Sequence, residues 1–538
     1  MLYQIFPDRF ARDSSNTAQR GVAHHRHMGQ EVHFHEDWNE PVEWQPNTPE
    51  GRYAPIDFYG GTLRGIMERL PYLQKLGVTA LYLNPITEAA SNHRYDTGDY
   101  GRVDPILGTN GDFERLCAAA EKYGIRILLD GVFSHTGADS KYFNRYKNYP
   151  GSGAYNSRYS PFYKWYHFDK FPDKYRCWWD FPDLPEVDKS NPDWQKRIIT
   201  GENSVVKTWL NRGASGWRLD VADELPDETL ARIRSAAKSV SPDAVILGEV
   251  WEDAVTKISY GKRRRYALGG ALDSVMNYPL RYALIEFLRG RGNAHTLEDT
   301  LLSQRLNYPK PFYYALMNLT ASHDIERTRT ALSIDFDPRG TKREQQAAYA
   351  VTDEMAARGA ALQKLAAVLQ FVLPGVPSIY YGDETGMQGF CDPFNRAPYR
   401  MLDAEALRWY SLMAAIRQAH PALQTGAFAA FSPAQDVICI LRAITDGADV
   451  FGEVHPDEAL LIAVNRAARS VTCHVELDLP GSGLTEQERL SFIRAHYSFA
   501  RDLLSEQILC ITGGRCTIEL PAYSAAIFEL EGKHGTET

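Results

Sequence analysis

The sequence predicts an α/β protein built on a (β/α)8 TIM barrel, with a small subdomain inserted after strand 3 and a C-terminal antiparallel β-sandwich. Three features lead to this prediction: eight short apolar runs, helical patterns between most of them, and a change to alternating strands late in the chain. Alternating strands and helices are typical of a parallel sheet, and eight such units favour a closed barrel. An open doubly wound sheet is the alternative, but the glycine-rich phosphate loop that would support it is missing from the sequence.

The barrel is predicted to occupy residues 1–135 and 192–423. Helical patterns separate most of its strand candidates, for example at 62–76, 112–123 and 195–212. The strand candidates are residues 2–6, 80–84, 126–132, 216–222, 245–250, 272–276, 315–320 and 376–381.

Residues 136–191, which follow the third strand, are too many for an ordinary connection. They are rich in aromatic residues, Pro, Gly and Asn, and we predict that they form the inserted subdomain. After about residue 424 the pattern changes to short alternating strands, which predicts an antiparallel β-sandwich over 424–538 with a loose tail at 531–538. The sandwich strands are predicted at 437–442, 459–465, 470–477, 515–519 and 521–530.

The composition is that of a globular enzyme and excludes several classes of protein. The chain has 538 residues and a net charge of −9 without a basic block, which argues against nucleic-acid binding. It has no apolar stretch long enough to cross a membrane and no signal-peptide pattern, so we expect a cytoplasmic protein. We also expect a monomer or a weak homo-oligomer. Seven scattered cysteines without a Cys-x-x-Cys pair predict free thiols and no zinc site.

Three carboxylates carry the functional prediction. Asp220, Glu249 and Asp324 each follow a predicted strand, and barrels place their chemistry at the carboxyl ends of the strands. Three acids there suit glycoside chemistry: one nucleophile, one acid/base and one group that holds the sugar. The alternative is that each acid caps a helix or pairs with an arginine. With Arg218 and His323 adjacent, a site is favoured, because perturbed titratable groups cluster at sites.

These residues lie in short motifs that occur in a familiar order. With them the sequence resembles the α-amylase family of glycoside hydrolases, and is similar to its neopullulanase, cyclomaltodextrinase and maltogenic amylase branch. The resemblance covers residues 1 to about 400, and it implies a retaining enzyme that cleaves α-1,4-glucosidic bonds. The motifs are DGVFSH at 130–135, LPEVD at 184–188, GWRLDVA at 216–222, GEVW at 248–251 and SHD at 322–324, with flanking signatures at 60–61, 84–87 and 375–384.

Retaining cleavage needs a carboxylate beside the anomeric carbon and a proton donor about 5 Å away. We assign Asp220 as the nucleophile and Glu249, which lies one helix and one strand further on, as the acid/base. Arg218 shares a strand face with Asp220 and is expected to keep it ionised. The apolar neighbours Val250 and Trp251 are expected to raise the pKa of Glu249 until it holds a proton.

The resemblance implies further contacts with the substrate. Tyr95 matches the aromatic platform under the reacting glucose, and Asp324 is expected to hold its hydroxyl groups. His135 and His323 are expected to donate hydrogen bonds to the same sugar, although each could instead be a neutral core histidine. Asp392 and Arg396 resemble a pair that holds the next sugar on the non-reducing side, with a surface ion pair as the alternative.

Two aromatic groups of the inserted stretch have open interpretations. Trp178 and Trp179, like the residues Tyr163, Trp165 and Tyr166, could stack on sugar faces or form the small core of the subdomain. Five histidines between residues 24 and 35 could bind a metal, but their spacing favours a loop at the surface or the rim of the cleft.

Several positions depart from the family pattern. Ser134 and Thr62 stand where relatives present calcium ligands, so we predict no metal or other cofactor, with a structural calcium ion in doubt. Asp223 stands where the branch often has Asn, which is expected to alter the acceptor side of the cleft. The branch usually begins with an N-terminal β-domain, and because the first predicted strand starts at residue 2 we expect none here.

The predicted function is therefore hydrolysis of maltooligosaccharides or starch-type α-glucans. A transglycosylase, or a specialist for α-1,6 linkages or cyclodextrins, would use the same scaffold. A non-catalytic amylase-like carbohydrate-binding protein is the alternative of another class. Such a protein is expected to have lost one of the three carboxylates, and this sequence retains them all.

Overall fold

The computed structural model describes residues 1–49 and 51–532, so the end of the predicted tail lies outside the described residues. Eight strands form one parallel sheet: β1 Leu2–Ile5, β2 Ala80–Leu83, β3 Arg126–Gly131, β4 Gly216–Leu219, β5 Val245–Gly248, β6 Ser274–Val275, β7 Met317–Leu319 and β8 Val376–Tyr380. Their order in the sheet is β6-β5-β4-β3-β2-β1-β8-β7. A parallel bridge between Met276 and Met317 joins the two ends, so the sheet is a nearly closed barrel, as predicted.

Side chains alternate between the two faces of the barrel wall, as strand geometry requires. Leu2 and Tyr82 belong to a small cluster inside the barrel, whereas Tyr3, Ile5 and Leu81 join the large core beneath the helices. Both faces are buried, which explains why the strands read as nearly continuous apolar runs in the sequence.

The pairing of β3, β4 and β5 sets the geometry of their carboxyl ends. Arg218 on β4 pairs with Asp130 on β3, and Leu219 pairs with Gly248 on β5. The residues that follow these pairs, Asp220 and Glu249, therefore emerge side by side at the same edge of the barrel.

Helices cover the barrel, and their boundaries follow from local chemistry. A capping box between Thr109 and Asp112 begins the helix Asn110–Lys122. The predicted helix 62–76 is divided at Arg69, because Pro71 lacks an N–H and suits only the first turn of a new helix. The helices between Met1 and Thr425 include Thr17–His27, Leu63–Glu68, Leu70–Lys75, Asn110–Lys122, Pro192–Gln195, Val205–Asn211, Asp227–Val240, Tyr278–Arg289, Ala294–Asn307, Lys310–Ala315, Thr328–Ser333, Arg343–Ala348, Asp353–Val372, Ala404–Ala419 and Pro421–Thr425.

The stretch 136–191 has little regular structure and is held together by aromatic packing. Trp165 and Tyr166 are buried, and Trp165 stacks on Tyr142 with ring centroids 5.3 Å apart. These residues form a small core of the inserted stretch, which was one of the two interpretations offered for them. Trp179, by contrast, is 73% exposed, and its ring stacks on that of its neighbour Trp178.

The C-terminal region is an antiparallel sandwich. A six-stranded sheet packs against a two-stranded sheet, and the contact between them is a separate apolar cluster. The helix Glu486–Arg494, which begins with a capping box at Thr485, was not predicted. The residue limits of the three domains stay a prediction. In sheet order the strands are Ala427–Ala434, Val437–Ile444, Glu458–Asn465, Ser524–Gly532, Tyr497–Asp502 and Ile508–Cys510, and then the pair Val471–Glu476 and Arg515–Leu520.

The early histidines do not form the loop that we expected. Three of them lie on the helix Thr17–His27, where His25 is fully buried and contacts Asp104 at 3.2 Å. Burial lowers the pKa of His25, but the charge and hydrogen bond of Asp104 outweigh it and raise that pKa.

None of the helices described in residues 1–49 and 51–532 is both long and apolar enough to cross a membrane.

Candidate active site

One buried arginine joins three carboxylates at the carboxyl edge of the barrel. Arg218 Nη1 lies 2.8 Å from Asp130 Oδ1 and 3.0 Å from Asp220 Oδ1, and Nη2 lies 2.8 Å from Glu249 Oε2. Arg218 is completely buried and both predicted catalytic acids are nearly so, as expected of a charge cluster held by its own partners. The structure thus brings together Asp220, Glu249 and Arg218, and it adds Asp130, to which we had assigned no role.

The backbone after Asp220 adopts an unusual conformation. Val221 has φ 38° and ψ 65°, a left-handed conformation that is rare for a β-branched residue. In this conformation its N–H donates to Glu249 Oε2 at 2.7 Å. Strain of this kind persists where the surrounding structure over-determines it, often at functional sites. The strained turn ties the chain after one acid to the side chain of the other.

Glu249 lies in a more polar environment than its sequence neighbours indicated. Trp251, which we expected to act as an apolar neighbour, donates from Nε1 to Glu249 Oε1 at 2.8 Å. The Trp251 ring stacks on Tyr278 with centroids 4.0 Å apart, which fixes the direction of this donor. Both carboxylate oxygens of Glu249 therefore have N–H partners.

The four acids of the site strongly influence one another. Burial raises the pKa of Asp220 well above its usual range, and the charges of Glu249, Asp130 and Asp324 raise it further, against the opposing effect of Arg218. We expected Arg218 to keep Asp220 ionised, but the guanidinium is shared among several acids and does not offset burial alone. Protonation of one acid is thus coupled to ionisation of the next.

Asp324 lies beside this cluster and is more open. Its side chain is 26% exposed, and Oδ1 lies 3.2 Å from His323 Nε2. Desolvation and the charge of Glu249 raise the pKa of Asp324 to about 7, whereas Arg218 and Arg396 act to lower it. Its exposure leaves it free to contact a ligand in the cleft.

His323 and Tyr95 are joined in a buried hydrogen-bond network. Gln4 Nε2 donates to His323 Nδ1 at 2.8 Å, so the ring proton lies on Nε2, which is 2.6 Å from Tyr95 Oη. Tyr95 Oη also accepts from Asn84 and donates to Asp130 Oδ2 at 2.7 Å. Burial and neighbouring arginines lower the pKa of His323 well below its usual range, so the ring is neutral.

His135 has both ring nitrogens occupied. Nε2 is 3.1 Å from the carbonyl of Tyr95, and Nδ1 is 2.9 Å from Ser134 Oγ. Burial lowers the pKa of His135 to about 4, so it is neutral too. Its donation of a hydrogen bond to a sugar stays a prediction, because in this structure the Nε2–H has a protein partner.

Asp392 and Arg396 connect the late loop to the site. Arg396 Nη1 lies 2.9 Å from Asp392 Oδ1, and Nε donates to the carbonyl of His323 at 3.1 Å. Arg396 is buried and Asp392 is 37% exposed. The pair is an ion pair, but one that is anchored to the backbone of a site residue.

The residues at the two positions where calcium ligands were considered use their hydroxyl groups within the protein. The hydroxyl of Thr62 accepts from the N–H of Gly65 and caps the helix Leu63–Glu68, and that of Ser134 bonds to His135. Calcium favours six to eight oxygen ligands, several of them charged, whereas both hydroxyls are neutral. Across residues 1–49 and 51–532 no group of three or more His, Cys, Asp or Glu residues could hold a metal ion.

The barrel and its cluster of acids at the ends of β3, β4 and β5 define the class of glycoside-cleaving barrel proteins. Residues 4–418 match the alpha amylase catalytic domain, and the chain belongs to the α-amylase family.

Similar proteins agree with this assignment. The amylopullulanase of Thermoanaerobacterium saccharolyticum is 34% identical over 98% of this chain, but this chain spans only 41% of that protein. The cyclomaltodextrinase of Geobacillus thermopakistaniensis is 28% identical over 98% of this chain and 76% of its own length. A solved cyclic α-maltosyl-(1→6)-maltose hydrolase from Arthrobacter globiformis has a TM-score of 0.73 at 26% identity and covers 98% of both chains.

Proposed function

We propose that the protein is a retaining hydrolase of α-1,4-linked glucose oligomers, with Asp220 as nucleophile and Glu249 as acid/base. The observation that carries this proposal is the contact of both carboxylates with one guanidinium, that of Arg218. Acids that bind the same guanidinium are close neighbours, as double displacement requires.

The reaction follows from this arrangement in two steps. Glu249 gives its proton to the glycosidic oxygen while Asp220 attacks the anomeric carbon, so the bond to the leaving sugar breaks and a glycosyl ester forms. Glu249 then removes a proton from water, the water oxygen attacks the anomeric carbon, and Asp220 leaves as a carboxylate. Because the charge of Glu249 raises the pKa of Asp220, a proton on Glu249 favours the ionised nucleophile.

The remaining residues are proposed to hold the reacting sugar. Tyr95 provides a ring beneath it, and its stacking on His323, at 5.3 Å between parallel rings, fixes that platform. Asp324 accepts from sugar hydroxyls, and the Nε2–H of His323, which faces Tyr95 Oη at 2.6 Å, is shared between Tyr95 and a sugar oxygen. Asp392 and Arg396 extend the site towards the non-reducing end.

Cleavage of α-1,6 linkages or cyclodextrins is a second candidate. Relatives named amylopullulanase and cyclomaltodextrinase, and a solved neighbour named for a cyclic substrate with a 1→6 linkage, favour it. We also propose that catalysis needs no metal. Seven free cysteines support a reducing compartment such as the cytoplasm.

A substrate panel with acid variants tests the proposal. Wild-type protein is incubated with maltotriose, pullulan, cyclomaltoheptaose and soluble starch. The variants Asp220→Asn and Glu249→Gln are assayed in the same way, with Glu405→Gln, an exposed side chain on the helix Ala404–Ala419, as the control. Each site variant should lose at least about 1,000-fold in turnover, equivalent to about 4 kcal/mol of barrier, while the control keeps full activity. If either site variant kept more than a tenth of the wild-type rate, its assignment would be wrong.

A further inference from the structure

The inserted stretch contains a cavity that the proposed reaction does not use. Its volume is about 390 Å³, within the range that is typical of small-molecule sites. It is lined by Lys141 and by parts of two segments, residues 150–152 and 157–162. Because none of these residues belongs to the proposed site, the cavity needs an explanation of its own.

A layer of buried aromatic rings separates this cavity from the catalytic cleft. Phe162, which lines the cavity, packs on Tyr142 with ring centroids 5.3 Å apart. Tyr142 packs on Tyr100 at 5.5 Å, and both rings are buried. Tyr100 Oη then donates to the carbonyl of His135 at 3.0 Å. Two buried rings therefore stand between the cavity and the site residue His135, so a ligand in the cavity would not occupy the cleft.

The two segments that line the cavity are fixed to each other and to the protein interior. Ser160 Oγ donates to the carbonyl of Ser152 at 2.8 Å, which joins the segments. The side chain of Asn144, a buried residue, donates to the carbonyls of Tyr149 at 2.8 Å and Gly151 at 3.1 Å. The walls are thus held in place before a ligand arrives, which lowers the entropic cost of binding.

The lining combines flat apolar surfaces with hydroxyl groups. Tyr159 is 97% exposed, so its ring is open to a ligand, and Pro150 and Pro161 add further apolar surface. Ser152 and Ser157 supply hydroxyls, each of which can donate and accept a hydrogen bond. Single exposed aromatic residues are common, but this one borders a preformed cavity. A glucose unit, with apolar faces and an edge of hydroxyl groups, matches such a lining.

The charge of the lining argues against an anionic ligand. Among the described residues that line the cavity, Lys141 alone is charged. Its Nζ lies 2.5 Å from Oδ1 of Asp99, a buried carboxylate that offsets the positive charge. The remaining ammonium protons can donate to hydroxyl oxygens. An uncharged ligand with many hydroxyl groups is therefore favoured over a phosphate group or an acidic peptide.

We propose that this cavity is a second, non-catalytic site that holds a short segment of an α-glucan, with one glucose ring stacked on Tyr159. The inference rests on the proposed function, because the ligand belongs to the class of the proposed substrate. A polymer presents many equivalent segments, so a protein held by one segment meets others at a raised local concentration. The second site therefore assists attack on polymeric glucan and leaves attack on short oligomers unchanged.

The test compares binding to starch with cleavage of a polymer and of a short substrate. Binding is measured by retention in native gels that contain soluble starch, in the Glu249→Gln background so that starch is not consumed. In the otherwise wild-type protein, kcat/KM is measured on soluble starch and on maltotriose. The variants are Tyr159→Ala, which removes the ring, and Tyr159→Phe, which keeps it. Leu306→Ala is the control, because Leu306 is 82% exposed on the barrel helix Ala294–Asn307.

Tyr159→Ala should weaken starch binding about 3- to 10-fold, as expected for the loss of one aromatic contact, and lower kcat/KM on soluble starch by a similar factor. Its kcat/KM on maltotriose should stay within about twofold of wild type, because the cleft itself is unchanged. Tyr159→Phe and Leu306→Ala should resemble the unsubstituted protein in all three measurements.

Three results would overturn the inference. Starch binding could be unchanged in Tyr159→Ala, or this variant could lose kcat/KM equally on starch and maltotriose, which would assign the ring to the cleft. Leu306→Ala could also lose as much binding as Tyr159→Ala, which would indicate a general surface effect. If wild-type protein cleaved neither starch nor maltotriose, the proposed function itself would fail, whereas the comparison of starch binding would still decide on the second site.

Discussion

Replacement of Glu384 by Gln should stabilise the protein at alkaline pH and have little effect at acidic pH. Glu384 follows β8, away from the proposed site, and is fully buried. Oε1 accepts from Tyr3 and Tyr72 at 2.8 Å each, whereas Oε2 has no hydrogen-bond partner among the described residues. Burial raises the pKa of Glu384 to about 7, although both tyrosines act to lower it.

The sign and size follow from linkage between protonation and folding. The unfolded chain releases this proton near pH 4.5, whereas the folded chain holds it until about pH 7. The folded state therefore loses stability as the pH rises through this window, and the interval corresponds to about 3 kcal/mol. Gln is neutral at every pH, and its carbonyl can accept from both tyrosines. The advantage of Glu384→Gln should be near zero at pH 4.5 and about 3 kcal/mol at pH 8.5.

Thermal unfolding of both proteins at the two pH values measures this difference. For a barrel of about 400 residues, 3 kcal/mol corresponds to a shift of about 3–4 °C in Tm. Other raised carboxyls, such as Asp324, are common to both proteins and cancel in the comparison. Glu405→Gln, which replaces an exposed side chain, is the control and should show no such gain at pH 8.5. A variant that is no more stable than wild type at pH 8.5, or equally stabilised at both pH values, would refute the reasoning.

Three further predictions concern the site. Early NMR spectra of hydrolysis should show the α-anomer first, because two inversions restore the configuration, and initial β-product would contradict double displacement. Chelation with EDTA should leave activity and Tm nearly unchanged, since Thr62 and Ser134 are uncharged; a fall of several degrees that calcium reverses would reveal a structural ion. Gln4→Leu should lower kcat about tenfold with little change in KM, because without the donor from Gln4 the proton of His323 is no longer fixed on Nε2. Equal losses at unchanged KM in Gln4→Asn and Gln4→Leu would oppose that role.

Much of the fold could be predicted because the barrel strands are buried on both faces and therefore consist of short apolar runs. All eight predicted strands form, although β6 has only two residues in regular pairing, Ser274–Val275. The helix Glu486–Arg494 was missed because its apolar face is narrow and its surroundings are strands. Its capping box at Thr485 and Glu488 was the signal that could have identified it.

The site residues at the strand ends could be predicted, but the hydrogen bonds between residues distant in the sequence could not. Asp220 and Glu249 could be found because each follows an apolar run and lies in a recognisable motif. Asp130 lies in such a motif too, and only its role was missed. The partnership of Gln4 with His323 spans 319 residues, and no local pattern indicates it. Contacts of this kind depend on the sheet order, in which β1 and β7 both pair with β8.

The clustered acids that the proposed reaction uses also lower the stability of the folded protein. Burial and the mutual repulsion of the acids raise the pKa of Asp220 and of the more open Asp324, so ionising all the acids of the site together would oppose folding. The same coupling lets a proton on Glu249 favour the charge on Asp220, which double displacement requires. A site with one arginine per acid would be easier to fold, but its protonation states would be fixed independently. Sharing one guanidinium keeps the proton mobile within the cluster, and we regard this as the physical reason for the arrangement.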